Sequence, residues 1–304
     1  MLGPLLFLLY INDIANSSSL GNFKLFADDT NIFIAANTVQ ELFQLANAVL
    51  KDVFQWTIAN NLSINFDKTN YMLFKLSTKN NTLIKELSPQ ITINNIVINR
   101  VDNVKYLGVW IDDNLTWKVH IDKLIPKIQA LIGIFFRKKS AIPLTCRKKL
   151  YFALIHSALL YGIEVYGNAN KCLLNPLLTK CNFLLRILQN KPRLTNSLSL
   201  YTNYNTVQIY SLYKLCICKL MHSIIYNCNS IPTVITDLFT LNKAIHNHYT
   251  RSFNQFHIQG SVSLEAINYI GPYFWFKLPT YIRDCPNLPS FLKLCQNYLN
   301  GETR

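Results

Sequence analysis

The sequence predicts an α+β protein in which short strands mixed with one or two helices occupy residues 1–115 and mainly helical regions follow at 116–229 and 230–304. Two observations carry this. Before residue 115, apolar runs of three to eight residues are separated by Asn, Asp and Gly. After Thr116 apolar residues recur at helical spacing, as in Ile121, Leu124, Ile128, Leu131, Ile132 and Phe135, with prolines 126, 143, 176 and 192 expected to break the helices.

Gly3-Pro4 opens an apolar run over 5–11, and Pro suits the first turn of a helix. Apolar all round, this helix is expected to be buried. Two apolar runs then flank Phe26-Ala27-Asp28-Asp29, which predicts a hairpin with the carboxylates at its tip. Thr38-Val39-Gln40-Glu41 is a capping box ahead of Leu42, Leu45, Ala46, Val49, Val53 and Trp56, and Asn60-Asn61 supplies a stop. Strands are expected over 62–65 and 71–74, with Asp67-Lys68-Thr69 between them. A tight hairpin is expected over 91–98, turning at Asn94-Asn95, and one further strand over 104–111 passes through Gly108. The Ser-, Thr- and Asn-rich stretch 194–204 reads as a loop, and an amphipathic helix over 290–299 ends the chain.

A hydrophobic fraction of 50% excludes a disordered chain. Thirty Lys and Arg against 16 Asp and Glu give a formal charge of +14, which favours a polyanionic partner, and basic residues interleaved with aromatics favour nucleic acid over a membrane. None of the eight cysteines has zinc-site spacing, and Cys216 and Cys218 should face different ways on a helix; reduced, mostly buried thiols of an intracellular protein are expected, nuclear or cytoplasmic. The apolar run at the start lacks the basic flank of a secretory signal, and residues 150–165 are too short and polar to span a membrane.

Asp28 and Asp29 are the first candidate site. Adjacent strand residues point to opposite faces, but at a turn both carboxylates can lean toward one point, where a hard cation such as Mg²⁺ would relieve their repulsion. A polar turn is the alternative, since Asp favours turns through its own backbone hydrogen bonding. The triplets Arg137-Lys138-Lys139 and Arg147-Lys148-Lys149 bracket a loop at Pro143 and form either a phosphate contact or a solvated face.

The order of four motifs resembles the reverse transcriptase of non-LTR, LINE-type retrotransposons near the jockey and CR1-like branches. These are Leu2-Gly3-Pro4 through Asn12-Asp13, then Phe26-Ala27-Asp28-Asp29-Thr30, then Leu62-Ser63-Ile64-Asn65 with Lys68-Thr69, then Val104-Lys105-Tyr106-Leu107-Gly108-Val109 with Leu115-Thr116-Trp117 and His120-Ile121. Gly271-Pro272 to Trp275, Leu278-Pro279 and Ile282-Arg283 resemble the segment that closes such reading frames. The resemblance implies an RNA-directed DNA polymerase with part of a right-hand palm followed by a helical thumb. It implies that Asp28 and Asp29 hold catalytic Mg²⁺, that Lys68 protonates the leaving pyrophosphate, and that Gly3 and Pro4 lie under template and nucleotide. It also implies a primer grip at Tyr106, Leu107 and Gly108, and duplex backbone contacts from the helical region. RNA template, DNA primer, RNA/DNA duplex and deoxynucleoside triphosphates are the partners. The family's third metal-binding Asp lies on a strand upstream of its Gly-Pro segment, and no carboxylate here occupies that place. A fragment beginning inside that motif, inactive alone, is therefore expected, with a nucleic-acid-binding remnant as the alternative.

Overall fold

The computed structural model describes residues 2–74, 90–239 and 266–302. The chain divides into two compact units, Met1–Leu115 and Thr116–Arg304.

In the first unit, helix α1 (Gly3–Ile11) carries its proline in the first turn, as expected. Its burial is not as expected. Leu2, Leu5, Leu6, Leu8 and Leu9 are all exposed, Leu9 at 69%, and only Ile11 is buried. An all-apolar helix has no preferred face, and within the unit α1 packs chiefly on the short 3-10 turn Asn12–Asn16 that follows it. Only its carboxyl end is anchored, where Ile11 and Ile14 meet Val49 and Val53 and the Tyr10 hydroxyl donates to the Asn60 carbonyl. Strands β1 (Asn22–Phe26) and β2 (Asp29–Phe33) form an antiparallel hairpin with Phe26 opposite Asp29. Period-two alternation turns Phe23, Leu25 and Ile32 toward the same cluster and leaves Lys24, Phe26, Asp29 and Phe33 exposed.

Helix α2 (Val39–Ala59) is capped as the sequence predicts, with the Glu41 amide donating to Thr38 Oγ1 at 3.2 Å and Asn60 at the C-cap. Its fully buried residues are Phe43, Ala46, Val49, Val53 and Thr57, so the stripe runs one residue beside Leu42, Leu45 and Trp56, which are half-buried. Strands 62–65 and 71–74 do not form; the local ladder is β3 (Asn70–Tyr71), which pairs in parallel with β6 (Asn99–Arg100). Between them β4 (Thr92–Ile93) and β5 (Ile96–Val97) make the expected hairpin, with Asn94 and Asn95 both at positive φ. Asn47 ties β4 to α2: its amide donates to the Gln90 carbonyl at 3.0 Å and its oxygen accepts from the Thr92 amide at 2.9 Å. Residues 104–111, a single strand by their pattern but a primer-grip hairpin at Tyr106-Leu107-Gly108 by the resemblance, do form a hairpin, β7 (Asn103–Tyr106) and β8 (Val109–Asp112), turning at Leu107 (φ 44°) and Gly108 (φ 87°). Leu rarely adopts that conformation, so its identity hid the turn from the pattern.

In the second unit the described elements are helices. Helix α3 (Lys118–Lys138) buries Ile121, Leu124, Ile128, Ile132 and Phe135 and packs on α7 (Lys171–Leu188), which buries Leu174, Leu177, Cys181, Leu184, Leu185 and Leu188. Pro126 and Pro176 interrupt neither helix. Both lie on exposed faces, as do Asp122 and Cys172, whose carbonyls lose the hydrogen bond, so water can take the freed acceptors. Helix α4 (Leu144–Leu150) continues through a π turn (Tyr151–His156) into α5 (Ser157–Leu160), and α6 (Ile163–Tyr166) follows. The loop expected over 194–204 is largely helix α8 (Ser197–Tyr204): the Asn196 side chain caps it, and Leu200, Tyr201 and Tyr204 bury its apolar face. Polar composition there marks a cap rather than a loop.

Helix α9 (Ile209–Tyr226) joins two cores, with Cys216 in the larger cluster and Cys218 in the smaller. After α10 (Thr233–Thr236), the smaller cluster is completed by α11 (Ile267–Lys277), α12 (Thr280–Arg283) and α13 (Leu288–Glu302). Gly271 lets α11 approach α9, since a Cβ there would lie 2.6 Å from Met221 Sδ. Of the eight free cysteines, Cys181, Cys216, Cys218 and Cys295 are buried, and burial pushes the Cys181 thiol up to about 12. Among the described residues no helix is long and apolar enough to cross a membrane.

Candidate functional site

The β1–β2 turn consists of Ala27 and Asp28, closed by the Phe26–Asp29 pair. Ala27 stands at φ 51°, a left-handed conformation that costs a residue with a Cβ about 1 kcal/mol and is met at tight two-residue hairpins. Asp28 thus sits at the tip, and Asp29 begins β2 on the outward face beside Phe26; both are exposed. The inward residues of the same strands hold the turn against α2 through the cluster of Ile11, Ile14, Val49 and Val53. The arrangement presents two hard oxygen donors to solvent from a braced tip. Two carboxylates suit Mg²⁺, which completes its octahedron with water or phosphate oxygens. Among the described residues, no group of three or more His, Cys, Asp or Glu could hold a metal ion.

The other residues singled out in this unit are spread over separate elements. Gly3 and Pro4 form the first turn of α1, exposed, and a Cβ at Gly3 would meet nothing within 4 Å. Lys68 is exposed on the turn before β3, its amide donating to Asn65 Oδ1 at 3.2 Å. Tyr106, Leu107 and Gly108 form the β7–β8 turn.

In the second unit the two triplets end α3 and fill α4, and their members differ. Arg137, Lys138, Lys139 and Lys149 are exposed. Lys148 is half-buried, its ammonium 6.0 Å from the Tyr204 ring. Arg147 departs from the expectation of a backbone contact, because its side chain is 5% exposed and turned inward. Its guanidinium donates to the Ile142 carbonyl at 2.8 Å, to Asn190 Oδ1 at 3.0 Å, to the Leu188 carbonyl at 3.3 Å and to the Lys139 carbonyl. A rigid five-donor fork suits that task, tying the 139–142 loop to the end of α7. Charge alone could not reveal this direction. A second surface that sequence reasoning passed over is the stripe of Tyr269, Tyr273 and Lys277 on α11, whose only advance signal is its four-residue spacing.

Residues 1–111 match the family model for reverse transcriptase, RNA-dependent DNA polymerase. The likeness to non-LTR reverse transcriptases stands. The chain is 24% identical over 202 residues to the RNA-directed DNA polymerase from mobile element jockey of Drosophila funebris, covering 63% of this chain and 21% of that protein. It is 23% identical over 216 residues to a probable RNA-directed DNA polymerase from transposon BS of Drosophila melanogaster, 67% of this chain and 23% of that one. It is 26% identical over 169 residues to a retrovirus-related Pol polyprotein from the type-1 retrotransposable element R1 of Bradysia coprophila, 54% of this chain and 16% of that one. The chain thus spans about a fifth of the length of these curated relatives. No solved structure matches it. The reverse-transcriptase-like segment contains both the Asp28-Asp29 and the Leu107-Gly108 turns and lies wholly within the first unit.

Proposed function

We propose that the first unit is the part of a non-LTR reverse-transcriptase palm that bears the Phe-Ala-Asp-Asp turn, that the helical second unit works as a thumb on the template–primer duplex, and that the 304 residues alone do not polymerise DNA. The observation that carries the reading is the placement of Asp28 and Asp29 at the braced, exposed tip of a hairpin inside the segment that matches the family. Asp28 and Asp29 would hold Mg²⁺, which when bound supplies charge neutralisation at the reacting phosphates. Lys68 is the proton donor to the leaving pyrophosphate, Gly3 and Pro4 lie along template and nucleotide, and the Tyr106–Gly108 turn steadies the primer end. Incompetence of the isolated chain is supported by two observations. In-line phosphoryl transfer uses two metals about 4 Å apart and needs more anionic ligands than this pair supplies. The exposed apolar residues of α1, with Phe26 at 60% and Phe33 at 48% on the outer face of the hairpin, make a surface suited to cover by further palm elements.

Primer extension on an RNA template with Mg²⁺ tests this. No extension is expected; robust synthesis abolished by Asp28→Asn would overturn the claim of incompetence and keep the palm. The second reading, a nucleic-acid-binding chain without turnover, is favoured by the exposed cluster of Arg137, Lys138, Lys139 and Lys149. Under it, duplex binding weakens steeply with salt, and each lysine replaced by glutamate lowers the slope by about one counterion or more. Binding indifferent to both salt and charge would remove it.

A further inference from the structure

Helix α11 has two unlike faces. Trp275 and Leu278 at its end are buried in the smaller core, Ile270 in the larger, and Gly271 and Pro272 are buried as well. The other face carries Tyr273, exposed, with Tyr269 and Phe276 half-buried against the larger and smaller cores and Lys277 one turn beyond Tyr273. The Tyr269 and Tyr273 rings lie nearly parallel, 14° apart in plane with centroids at 6.2 Å, and Tyr273 is 45% exposed. Lys277 Nζ stands 4.3 Å from the Tyr273 centroid and the Arg283 guanidinium of α12 5.6 Å from that of Phe276, while Lys214 of α9 stands 5.9 Å from that of Phe274, which packs inward on Tyr213. Helix α11 contains no acidic residue.

We propose that the Tyr269–Tyr273–Lys277 face of α11 is a binding site for unpaired nucleic acid, with a base stacked on Tyr273 and the adjoining phosphates drawn to Lys277 and Arg283. Aromatic rings at successive helical turns offer π surfaces to unstacked bases, and neighbouring cations attract the phosphodiester chain that joins them. Duplex is the poorer ligand, because its base faces are already stacked and only its phosphates can reach the cations. A single strand of RNA and one of DNA share this chemistry. The site lies outside the family-matched segment and uses none of the carboxylates of the β1–β2 turn, so it stands apart from the polymerase reading.

The test is a titration of the full chain against one labelled oligonucleotide as single-stranded RNA, single-stranded DNA and blunt duplex, for the wild type and for Tyr273→Ala, Tyr269→Ala and Tyr273→Phe. Tyr273→Ala is expected to weaken single-strand binding about fivefold or more, Tyr273→Phe to retain it, and duplex binding to change little. The RNA and DNA arms identify which strand is preferred, and either preference supports the site. A uniform loss on single strand and duplex, or single-strand binding unmoved by Tyr273→Ala, overturns it. So does binding of the unaltered chain to anionic phospholipid vesicles but to neither single strand. Circular dichroism shows that each variant is folded, and primer extension does not enter the readout, so this site and the palm assignment fail independently.

Discussion

The two units are built on opposite terms. Among the described residues, the first holds its Asp28-Asp29 turn on clusters of five and four buried residues, joined by four two-stranded ladders. Among the described residues of the second, a continuous cluster of 27 and a satellite of nine are buried beneath helices. Yet the family likeness is concentrated in the thinner unit. Family likeness and deep burial therefore concentrate in different parts of this chain. A turn that exposes its carboxylates cannot also be core, and both units leave large apolar side chains exposed, Leu9 in the first and Leu194 in the second among them.

The largest expected effect separates the units directly. Leu184→Ala, at a fully buried position between α7 and its neighbours, should destabilise the second unit by about 2–5 kcal/mol. Denaturant unfolding followed by residue-resolved hydrogen exchange should show the loss confined to residues beyond 115; equal loss in the first unit would mean that the two are one cooperative block. Next in size is Arg147→Ala, which leaves the buried Leu188 carbonyl and three part-buried acceptors without their donor and should cost about 1–3 kcal/mol, whereas Lys138→Ala stays within about 0.5 kcal/mol and acts on duplex binding instead. If both substitutions changed only binding, the inward role of Arg147 would be wrong. The smallest effect is a pH dependence. Burial holds the His120 and His156 imidazoles below their ordinary value of 6.5, and residues 1–115 contain no histidine. Below 6.5 the unfolded chain binds more protons than the fold, so this stabilisation is full above that pH and is lost as pH falls toward the lowered values. Thermal unfolding between about pH 7.5 and 5 should therefore weaken the second unit and leave histidine-linked change out of the first.

How much of this was legible in the sequence varies with the kind of interaction. Capping chemistry was readable, since Thr38, Asn60 and the Asn94-Asn95 turn act on backbone within a few residues of themselves. The Asp28-Asp29 turn was readable for the same reason, as flanking apolar runs define it locally. What depends on surroundings was not. The exposure of α1 follows from what packs beside it, the direction of Arg147 from acceptors of which two, on Leu188 and Asn190, are distant in sequence, and the survival of Pro126 and Pro176 from which face meets water. In the pattern alone Leu107 concealed a hairpin because its positive φ is imposed by the register of β7 on β8. At the α11 stripe the residues were in plain view, but their meaning lies in ring planes and cation distances that spacing alone does not fix.

The π turn between α4 and α5 has a consequence for phase. Arg147, Tyr151, Ile155 and Leu159 are buried while their immediate neighbours are not, a strict four-residue beat. In a regular α-helix each such step over-rotates by about 40°, so three steps would swing Leu159 roughly a third of a circle away from Arg147. The wider turn at Tyr151–His156 absorbs that excess and keeps all four side chains on one meridian. One residue deleted inside the turn would close it as ordinary α-helix, in which the roughly eleven steps left between Arg147 and Leu159 make about three turns and keep the two in phase.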